Sequence, residues 1–463
     1  MSWRGSAAPT IALLALLTGV TSVAALLCGP VPLSDWLSDP HGSLELTLGK
    51  NPAPVELVRP DAGPMSLYAQ LGKQIFFDPS FSSSGQLDCS SCHSPDHFYA
   101  PSGAGSAMSG GPALARQGAR AVPSLMYLPD PSVFSIGPDP AGEEAAPVAL
   151  PQLAVAAQAV PRATKTAQST AQSAANIVPE GGLFWDGRVN TLQAQALGPL
   201  FSPFEMDGGT VRRVAARLRT APYAGLFIRI NGPEVFDNPS LTVSEAAFAL
   251  ARYQVEDPSF HPYTSKYDAW LEGHARLSWA ETRGYMLFND PAKGDCAACH
   301  LDQPSPEGQP PLFTDQQFEA LGVPRNPDLI RNREPGYFDL GLCGPYRTDL
   351  AAQTQYCGMF LTPTLRNTAA RRAFFHNGVY HDLQRVLDFY NFRDTAPGRI
   401  YPVGDDGQVA KYDDLPVGDR ANVDTADPPF DRSPGQAPAL TSSEEADIIA
   451  FLKTLTDGFA LAR

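Results

Sequence analysis

The chain contains the pentapeptide Cys296-Ala297-Ala298-Cys299-His300 and an earlier copy of the same form, Cys89-Ser90-Ser91-Cys92-His93. Cys-x-x-Cys-His is the form that attaches a c-type haem, because two thiols add to the haem vinyl groups and the adjoining histidine binds the iron. Cys-x-x-Cys is also the spacing of zinc ribbons and redox dithiols, but a ribbon needs its two pairs about 15–20 residues apart. About 200 residues separate Cys92 from Cys296, and a histidine follows each pair. The sequence therefore predicts two covalently attached haems.

The composition is that of a globular protein with ordinary cores, since 43% of the residues are hydrophobic and 10% are aromatic. A chain of 463 residues is long enough for two or three domains. Its 34 basic and 49 acidic side chains give a net charge of −15, which argues against a nucleic-acid partner. A basic protein partner is compatible with this charge, although a solvated acidic surface is the commoner explanation.

Residues 1–25 are predicted to be a signal peptide. Arg4 provides the positive start, residues 11–20 an apolar core, and small residues then form a cleavage site. The apolar run is too short to span a bilayer, so no membrane span is expected after the signal is removed. Cys28 is not expected to carry a lipid, because Leu27 stands where lipoproteins have a small residue. A periplasmic location is therefore predicted.

Two more cysteines, Cys343 and Cys357, lie outside the haem motifs. Disulfides persist in oxidising compartments, so an exported chain could pair these two residues. A disulfide between them is predicted, with two buried free thiols as the alternative.

The regular structure predicted from apolar spacing is helical. The predicted helices cover residues 67–77, 191–197, 241–253, 279–288, 383–390 and a last stretch that begins at Thr441 or Ser442 and ends at Gly458. Glu444 or Glu445 completes a capping box at the start of the last helix. No stretch shows the alternation typical of a strand, so the predicted fold class is mainly α.

The helix before residue 391 has one apolar side. Leu383, Val386, Leu387 and Tyr390 follow the i, i+3, i+4, i+7 spacing. Tyr390 is therefore predicted to point inward. From the pattern alone, a core tyrosine that needs one hydrogen-bond partner is favoured over a metal ligand.

The first haem motif has few candidate ligands for the opposite face of its iron. Residues 93–125 are rich in Gly, Ser and Pro and are predicted to be mostly loop. The further histidine in this stretch, His97, is favoured as a surface side chain rather than a ligand. If His97 does not bind, the first iron keeps an open position for a small oxidant.

Residues 137–176 are rich in Ala, Gln, Pro and Thr and are predicted to be a surface insertion without chemistry of its own. Residues 394–438 are predicted to be a loop, because they are rich in Pro, Gly and Asp. Between these stretches lie Trp185 and Glu205, which taken alone are more typical of a core residue and of a solvated carboxylate.

The motifs and their order resemble the bacterial di-haem cytochrome c peroxidase superfamily, which includes the quinone-cofactor maturase MauG. The segments that carry the resemblance are LGKQIFFDPSFSSSGQLDCSSCH, FWDGR, SPFEM, the second haem motif, TPTLRN and FFHNG. The resemblance runs from residue 71 to 458, apart from the insertion. It implies two cytochrome c-like helical domains over residues 67–260 and 275–460, each carrying one covalently attached haem, with the active site near their interface.

The resemblance implies that the first haem is the one that reacts with peroxide. Trp185 matches the family tryptophan between the haems, Gln195 and Pro199 match pocket positions, and Glu205 matches the distal carboxylate. A carboxylate in a partly apolar pocket can take a proton from hydrogen peroxide and return it to the departing oxygen. Burial would raise the pKa of Glu205 and make that return easier.

In the family, the opposite ligand of the second haem iron lies fourteen residues after the histidine of the FFH segment. Counting from His376 gives Tyr390, where conventional members have methionine and MauG-like members have tyrosine. A thioether favours reduced iron and a raised potential, whereas a phenolate is a hard anionic donor that stabilises oxidised iron. The resemblance therefore implies an enzyme that stores oxidising equivalents on both haems.

The chain resembles the MbnH-like branch most closely, through GLCGPYR, YCGMF, DFYNFRD and the tail that runs through DDLP, NVD and PPFDR. This resemblance implies that hydrogen peroxide, through high-valent haem iron, oxidises a tryptophan of a partner protein. One alternative is a conventional cytochrome c peroxidase that takes electrons from a small cytochrome. Another is an electron-transfer di-haem protein without catalysis.

The sequence departs from the family pattern in three respects. Ser109 stands where members that need reductive activation have a displaceable histidine, so the first haem should react without activation. Gly294 replaces the surface tryptophan that passes the oxidising equivalent outward in MauG. Ala121 replaces the asparagine of the interdomain calcium site, whose carbonyl positions are Arg371 and Ala373, and this replacement argues against calcium.

Overall fold

The computed structural model describes residues 31, 37–128, 132–138 and 177–461. The predicted signal peptide and residues 139–176 of the predicted insertion lie outside these ranges. Residues 137 and 138 belong to a strand, so the stretch predicted as an insertion begins inside an ordered element.

Helices form most of the regular structure, as the sequence predicted. They are α1 Pro40–Thr47, α2 Leu67–Phe76, α3 Cys89–Cys92, α4 Leu192–Phe201, α5 Val211–Thr220, α6 Ala224–Asn231, α7 Pro239–Glu256, α8 Lys266–Leu271, α9 Trp279–Phe288, α10 Leu383–Phe392 and α11 Ser442–Lys453. The strands of the described residues make three antiparallel pairs. These are β1 Ser109–Gly110 with β2 Arg116–Gln117, β3 Ser135–Pro138 with β4 Ile177–Glu180, and β5 Phe318–Glu319 with β6 Phe360–Leu361.

Side chains at the helix ends explain where several helices begin. The Ser66 side chain accepts a hydrogen bond from the Ala69 amide and starts α2. For α11 the sequence offered two possible N-cap residues. The N-cap in the structure is Thr441, which forms a capping box with Glu444. The helix ends at Lys453 rather than at Gly458, because the chain turns at Thr454.

The predicted helix over 191–197 is longer than expected. It starts after Thr191 but continues through Pro199 to Phe201. Proline removes one backbone donor from the helix. Helical hydrogen bonding nevertheless continues past Pro199, because the Ser202 amide donates to the Gly198 carbonyl at 3.0 Å. This extension places Gln195 and Pro199 one turn apart on the same helix.

The first hydrophobic core lies around α7. Helix α2 packs closely against it, because a Cβ at Gly72 would lie 1.9 Å from the Ala249 carbonyl oxygen. Phe76, Phe227 and Tyr253 are fully buried in this core. Burial of each such side chain contributes roughly 1.5–3 kcal/mol to stability.

The second hydrophobic core lies between α9 and α11. The two helices touch at Gly284, where a Cβ would lie 1.9 Å from the Asp447 carbonyl oxygen. The large buried aromatic residues of this core are Tyr267, Trp270, Phe288, Phe313 and Phe451. Helix α8 therefore packs with the second core.

Polar contacts hold the two cores together. The Tyr127 hydroxyl, which belongs to the first core, donates to the Asp457 carboxylate at 2.5 Å, just after α11. The Asn367 side-chain amide donates to the same carboxylate at 2.7 Å. A hydrogen bond to a carboxylate is stronger than a neutral one, so the bond from Tyr127 fixes the two cores relative to each other, and Asn367 holds the Asp457 carboxylate in place.

The loop predictions and the disulfide prediction agree with the structure. Residues 394–438 contain two short 3-10 turns, Pro397–Arg399 and Val417–Asn422, and no longer element. Cys343 and Cys357 form a disulfide, as predicted, inside a third apolar cluster that includes Phe318 and Tyr356. Within the described ranges, no helix is long and apolar enough to cross a membrane.

Candidate functional site

Each Cys-x-x-Cys-His motif lies in the wall of its own cavity. Cys89, Cys92 and His93 line a cavity of about 190 Å³, and the second motif lines one of about 200 Å³. The two cysteine pairs therefore do not face each other, as a zinc ribbon would require. Burial raises the pKa of Cys89, Cys92 and Cys296 to about 12, which reflects apolar surroundings.

The histidines of the two motifs have the same orientation. His93 Nδ1 lies 3.1 Å from the Tyr99 carbonyl oxygen, and His300 Nδ1 lies 2.9 Å from that of Phe313. A carbonyl oxygen only accepts, so Nδ1 carries the proton and Nε2 is the nitrogen suited to bind a metal. Burial lowers the pKa of His93 to about 4, so its ring is neutral at pH 7.

The walls of both cavities suit a porphyrin. Apolar side chains of the first cavity include Ile75, Phe76, Leu87, Val214, Leu218 and Leu250. Those of the second include Phe288, Val323, Phe374, Leu387, Phe430 and Leu440. Two thiols, one metal-binding nitrogen and an apolar wall in each cavity fit one haem c.

The predicted distal residues of the first haem come together in the first cavity. Gln195 and Pro199 from α4 line it, as does Glu205 from the turn after α4. Residues four apart on a helix share a face, so α4 presents the first two side by side. The longer helix thus brings Pro199, which the sequence analysis had placed after the helix, into register with Gln195.

The environment of Glu205 favours proton transfer. Glu205 is solvent-accessible in the structure, and it lines the first cavity. Desolvation raises the pKa of its carboxyl group, although the Ser202 hydroxyl and the charge of Arg188 oppose this change. Burial is the main cause of the raised pKa of Cys92, and the negative charge of Glu205 raises it further, so the carboxylate lies near that cysteine.

A glycine that the sequence analysis missed positions Glu205. A Cβ at Gly110 would lie 2.2 Å from the Glu205 carbonyl oxygen, and the Gly111 amide donates to that oxygen at 2.8 Å. The neighbouring Ser109, which stands where some family members have a histidine, also lines the first cavity. His97 is not among the lining residues, and its Nδ1 lies 3.4 Å from the Ser94 hydroxyl.

Trp185 lines both cavities. Its side chain is only 8% exposed, and the indole N–H donates to the Ala121 carbonyl at 2.8 Å. Its own carbonyl accepts from the Leu361 amide at 2.9 Å. The indole is therefore fixed in the wall that the two cavities share.

A buried ion network holds the segment that carries Trp185. Asp186 accepts from Arg120 at 2.7 Å and from Arg188 at 2.8 Å. Arg120 also donates to both carboxylate oxygens of Asp339, at 2.6 and 2.7 Å. The Arg120 guanidinium holds the pKa of the Asp339 carboxyl below its usual value, because paired charges offset their burial.

Tyr390 lines the second cavity together with Cys296, Cys299 and His300. Its ring stacks on Phe430, with the ring centres 5.5 Å apart. Burial raises the pKa of its hydroxyl, and the nearby Cys299 and Cys296 raise it further. The side chain predicted to point inward therefore points into the cavity that holds the second motif.

His376 is a second buried residue of this cavity that the sequence analysis used only for counting. Its ring stacks on Phe360 with centres 3.5 Å apart, and its Nε2 lies 3.6 Å from the Asp414 carboxylate. The FFHNG motif indicated that this segment belongs to the family pattern, but it did not predict the contact between the rings of His376 and Phe360.

The chain is similar to known proteins along most of its length. Residues 67–276 match the family model for di-haem cytochrome c peroxidase. Methylamine utilization protein MauG of Paracoccus denitrificans is 30% identical over 352 residues, covering 73% of this chain and 80% of that protein. Cytochrome-c peroxidase IdrP1 of Denitromonas iodatirespirans is 28% identical over 380 residues, covering 74% and 78%.

A solved structure extends this similarity to three dimensions. The diheme peroxidase BthA from Burkholderia thailandensis E264 is 33% identical, with a TM-score of 0.72 over 88% of this chain and 89% of that chain. The chain therefore belongs to the di-haem cytochrome c peroxidase family, which includes MauG, and is an oxidoreductase of the peroxidase type.

Proposed function

We propose that this enzyme uses hydrogen peroxide to oxidise a tryptophan of a partner protein. In this proposal Cys89, Cys92 and His93 hold the first haem c, and the second motif together with Tyr390 holds the second. Each haem belongs to one cytochrome c-like domain. The observation that carries the proposal is that Trp185 lies in the wall common to both cavities.

Haem c supplies the redox chemistry, by reacting with peroxide and holding the oxidising equivalents. Hydrogen peroxide plus two protons and two electrons gives two molecules of water, so each turnover withdraws two electrons from the partner. Glu205 takes a proton from one peroxide oxygen and returns it to the departing oxygen. Its raised pKa supports the return step, because a weaker acid retains the proton until the oxygen leaves.

Trp185 passes electrons between the two sites. Its indole N–H donates to the Ala121 carbonyl, and this contact stabilises positive charge on the ring when the ring loses an electron. The buried network of Arg120 and Asp186 limits movement of the segment, so the ring keeps its position during transfer. Gln195 and Pro199 shape the side of the first cavity on which peroxide reacts.

Tyr390 supports partner oxidation over a conventional cytochrome c peroxidase. A phenolate ligand stabilises oxidised iron, whereas the methionine of conventional members stabilises reduced iron. Burial disfavours the free phenolate, so the hydroxyl of Tyr390 needs a metal ion to ionise at neutral pH. Relatives of both kinds, MauG and cytochrome-c peroxidases, match the chain, so this residue is the discriminating feature.

The proposal includes export to the periplasm. The predicted signal peptide over residues 1–25 and the two haem attachment motifs support it.

Peroxide treatment of the purified protein tests the proposal. Without any reductant, peroxide should change the haem absorption, and the changed spectrum should persist until a partner protein is added. If turnover occurs only after reduction by a small cytochrome, the protein is a conventional peroxidase. If peroxide has no effect on a preparation with two haems per chain, the protein is an electron carrier.

The partner can be sought among exported proteins encoded beside this one. Co-expression followed by mass spectrometry should show an oxidised tryptophan in the partner. Co-expression with the Glu205→Gln variant is the control, and the tryptophan should then remain unmodified.

A further inference from the structure

Arg371 lies between the two cavities. Arg371 is among the residues that line the second cavity, and its Nη2 donates to the Val122 carbonyl at 3.3 Å. Val122 in turn lines the first cavity. The charge of Arg371 also contributes to the lowered pKa of His93, the iron-binding histidine of the first motif. This guanidinium is therefore electrostatically close to both proposed haem sites.

Arg371 is partly buried, and unlike Arg120, Arg366 and Arg393 it has no carboxylate partner among the described residues. Arg120 pairs with Asp186 and Asp339, Arg366 with Asp268, and Arg393 with Asp394. Across the described part of the chain, no carboxylate forms an ion pair with Arg371. Burial lowers its pKa to about 10, which still leaves it charged at pH 7. An unpaired charge that is partly removed from water is costly, so Arg371 favours an anion bound in the cavity that it lines.

The interdomain calcium ion that the family resemblance implies does not fit this place. Ala121 has no side-chain donor for a metal, and its carbonyl already accepts from the indole of Trp185. The described residues include no cluster of three or more His, Cys, Asp or Glu side chains that could hold a metal ion. The guanidinium of Arg371 is a positive charge in the same region, and it would repel a divalent cation.

We propose that the guanidinium of Arg371 replaces calcium between the two sites and pairs with a haem propionate of the second cavity. This inference rests on the proposed function, because it requires haem in both cavities. A propionate carboxylate is the anion that a bound haem brings, and among the described residues that line the second cavity Arg371 is the one arginine or lysine. A fixed positive charge disfavours oxidised iron, so Arg371 holds the reduction potential up.

Four preparations test this role without relying on activity. The wild-type protein should contain no calcium by elemental analysis, and neither EGTA nor added calcium should change its reduction potentials. Arg371→Gln should lower the potential of the second haem, and Arg371→Lys should restore most of the difference because it keeps the charge. Arg372→Gln, which removes an exposed neighbouring charge, is the matched control and should leave the potentials unchanged.

Stoichiometric calcium in the wild-type protein, or a potential that shifts with EGTA, would overturn the inference. Equal potentials in the wild-type protein and Arg371→Gln would do so as well. If Arg371→Gln does not take up haem, Arg371→Lys should still take it up, because it keeps the charge. Loss of haem from both variants would contradict a role of the charge. A haem stain of the wild-type protein tests the proposed function and not this inference. Fewer than two haems per chain would refute the proposed function itself.

Discussion

Glu205 has the environment of a proton-transfer group. Replacing it by glutamine keeps its size but removes the group that accepts and returns the proton. General acid–base groups contribute roughly 10²–10⁴-fold to rate, so Glu205→Gln should slow the reaction with peroxide by at least roughly 10²-fold. Stopped-flow absorption measures this rate. Glu234→Gln, which changes an exposed carboxylate on a 3-10 turn, should react like the wild-type protein.

The pH dependence follows from the same residue. The raised pKa means that Glu205 becomes protonated at a higher pH than an ordinary glutamate, whose pKa is about 4.3. Only the carboxylate can accept the first proton, so the rate with peroxide should fall as the pH decreases through the raised pKa. A rate profile of the wild-type protein should show this decrease, and the profile of Glu205→Gln should lack it.

Replacement of Trp185 by phenylalanine separates peroxide chemistry from partner oxidation. The first cavity keeps Glu205, so peroxide should still react there. Partner oxidation should fall by at least about tenfold, which corresponds to about 1.4 kcal/mol in activation free energy. The Ala121 carbonyl loses its donor, at a cost of roughly 1–3 kcal/mol of stability. Trp279→Phe, at a side chain 51% exposed, should change neither property.

Tyr390 can be tested as a ligand by spectroscopy. Phenylalanine has no ligand atom, so Tyr390→Phe should change the absorption of one haem and leave the other as it was. Tyr380→Phe is the control, because this buried tyrosine belongs to the same apolar cluster but does not line the second cavity. Identical spectra of the wild-type protein and Tyr390→Phe would show that the tyrosine has only a packing role.

At the level of elements, the contact between α9 and α11 depends on one missing side chain. Gly284→Ala places a Cβ against the Asp447 backbone, and overpacking of this kind typically costs about 1–3 kcal/mol. The melting temperature should therefore decrease. Gly225→Ala in the first turn of α6 is the control, because the space around this position is open and the added Cβ meets no neighbour. That control should melt at the same temperature or slightly above.

The sequence predicted helices well where the signal is local. Ser66, Thr441 and the apolar spacing of 279–288 act within a few residues, so the starts of α2, α9 and α11 were predicted correctly. Helix α7 begins at Pro239 rather than at residue 241, and α1, α5, α6 and α8 were not predicted. The end of α4 was wrong because a proline normally stops a helix, and here the next turn closes beyond it. Contacts such as Gly72 on Ala249 depend on how helices pack, which spacing along one helix does not encode.

At the level of the whole molecule, the haem motifs and the family resemblance together pointed to residues that line the two cavities, such as Trp185, Glu205 and Tyr390, but not to the contacts that hold these residues in place. The pairing of Arg120 with Asp339 joins residues 219 positions apart, and neither residue carries a local signal for the other. The charge of Arg371 was also hidden, because the resemblance drew attention to its carbonyl rather than to its side chain. Interactions between distant parts of the chain therefore required the structure.

If the enzyme oxidises a partner protein, as proposed, the burial of Trp185 limits how that partner is recognised. A side chain with so little exposed surface cannot touch another protein. A protein substrate would therefore be oxidised from outside the two cavities, without contact with this ring. Selectivity must then arise on the exterior, from the patch where the substrate docks and from its distance to the interior. Such a protein could acquire a new client through surface substitutions alone, while the buried machinery stays the same.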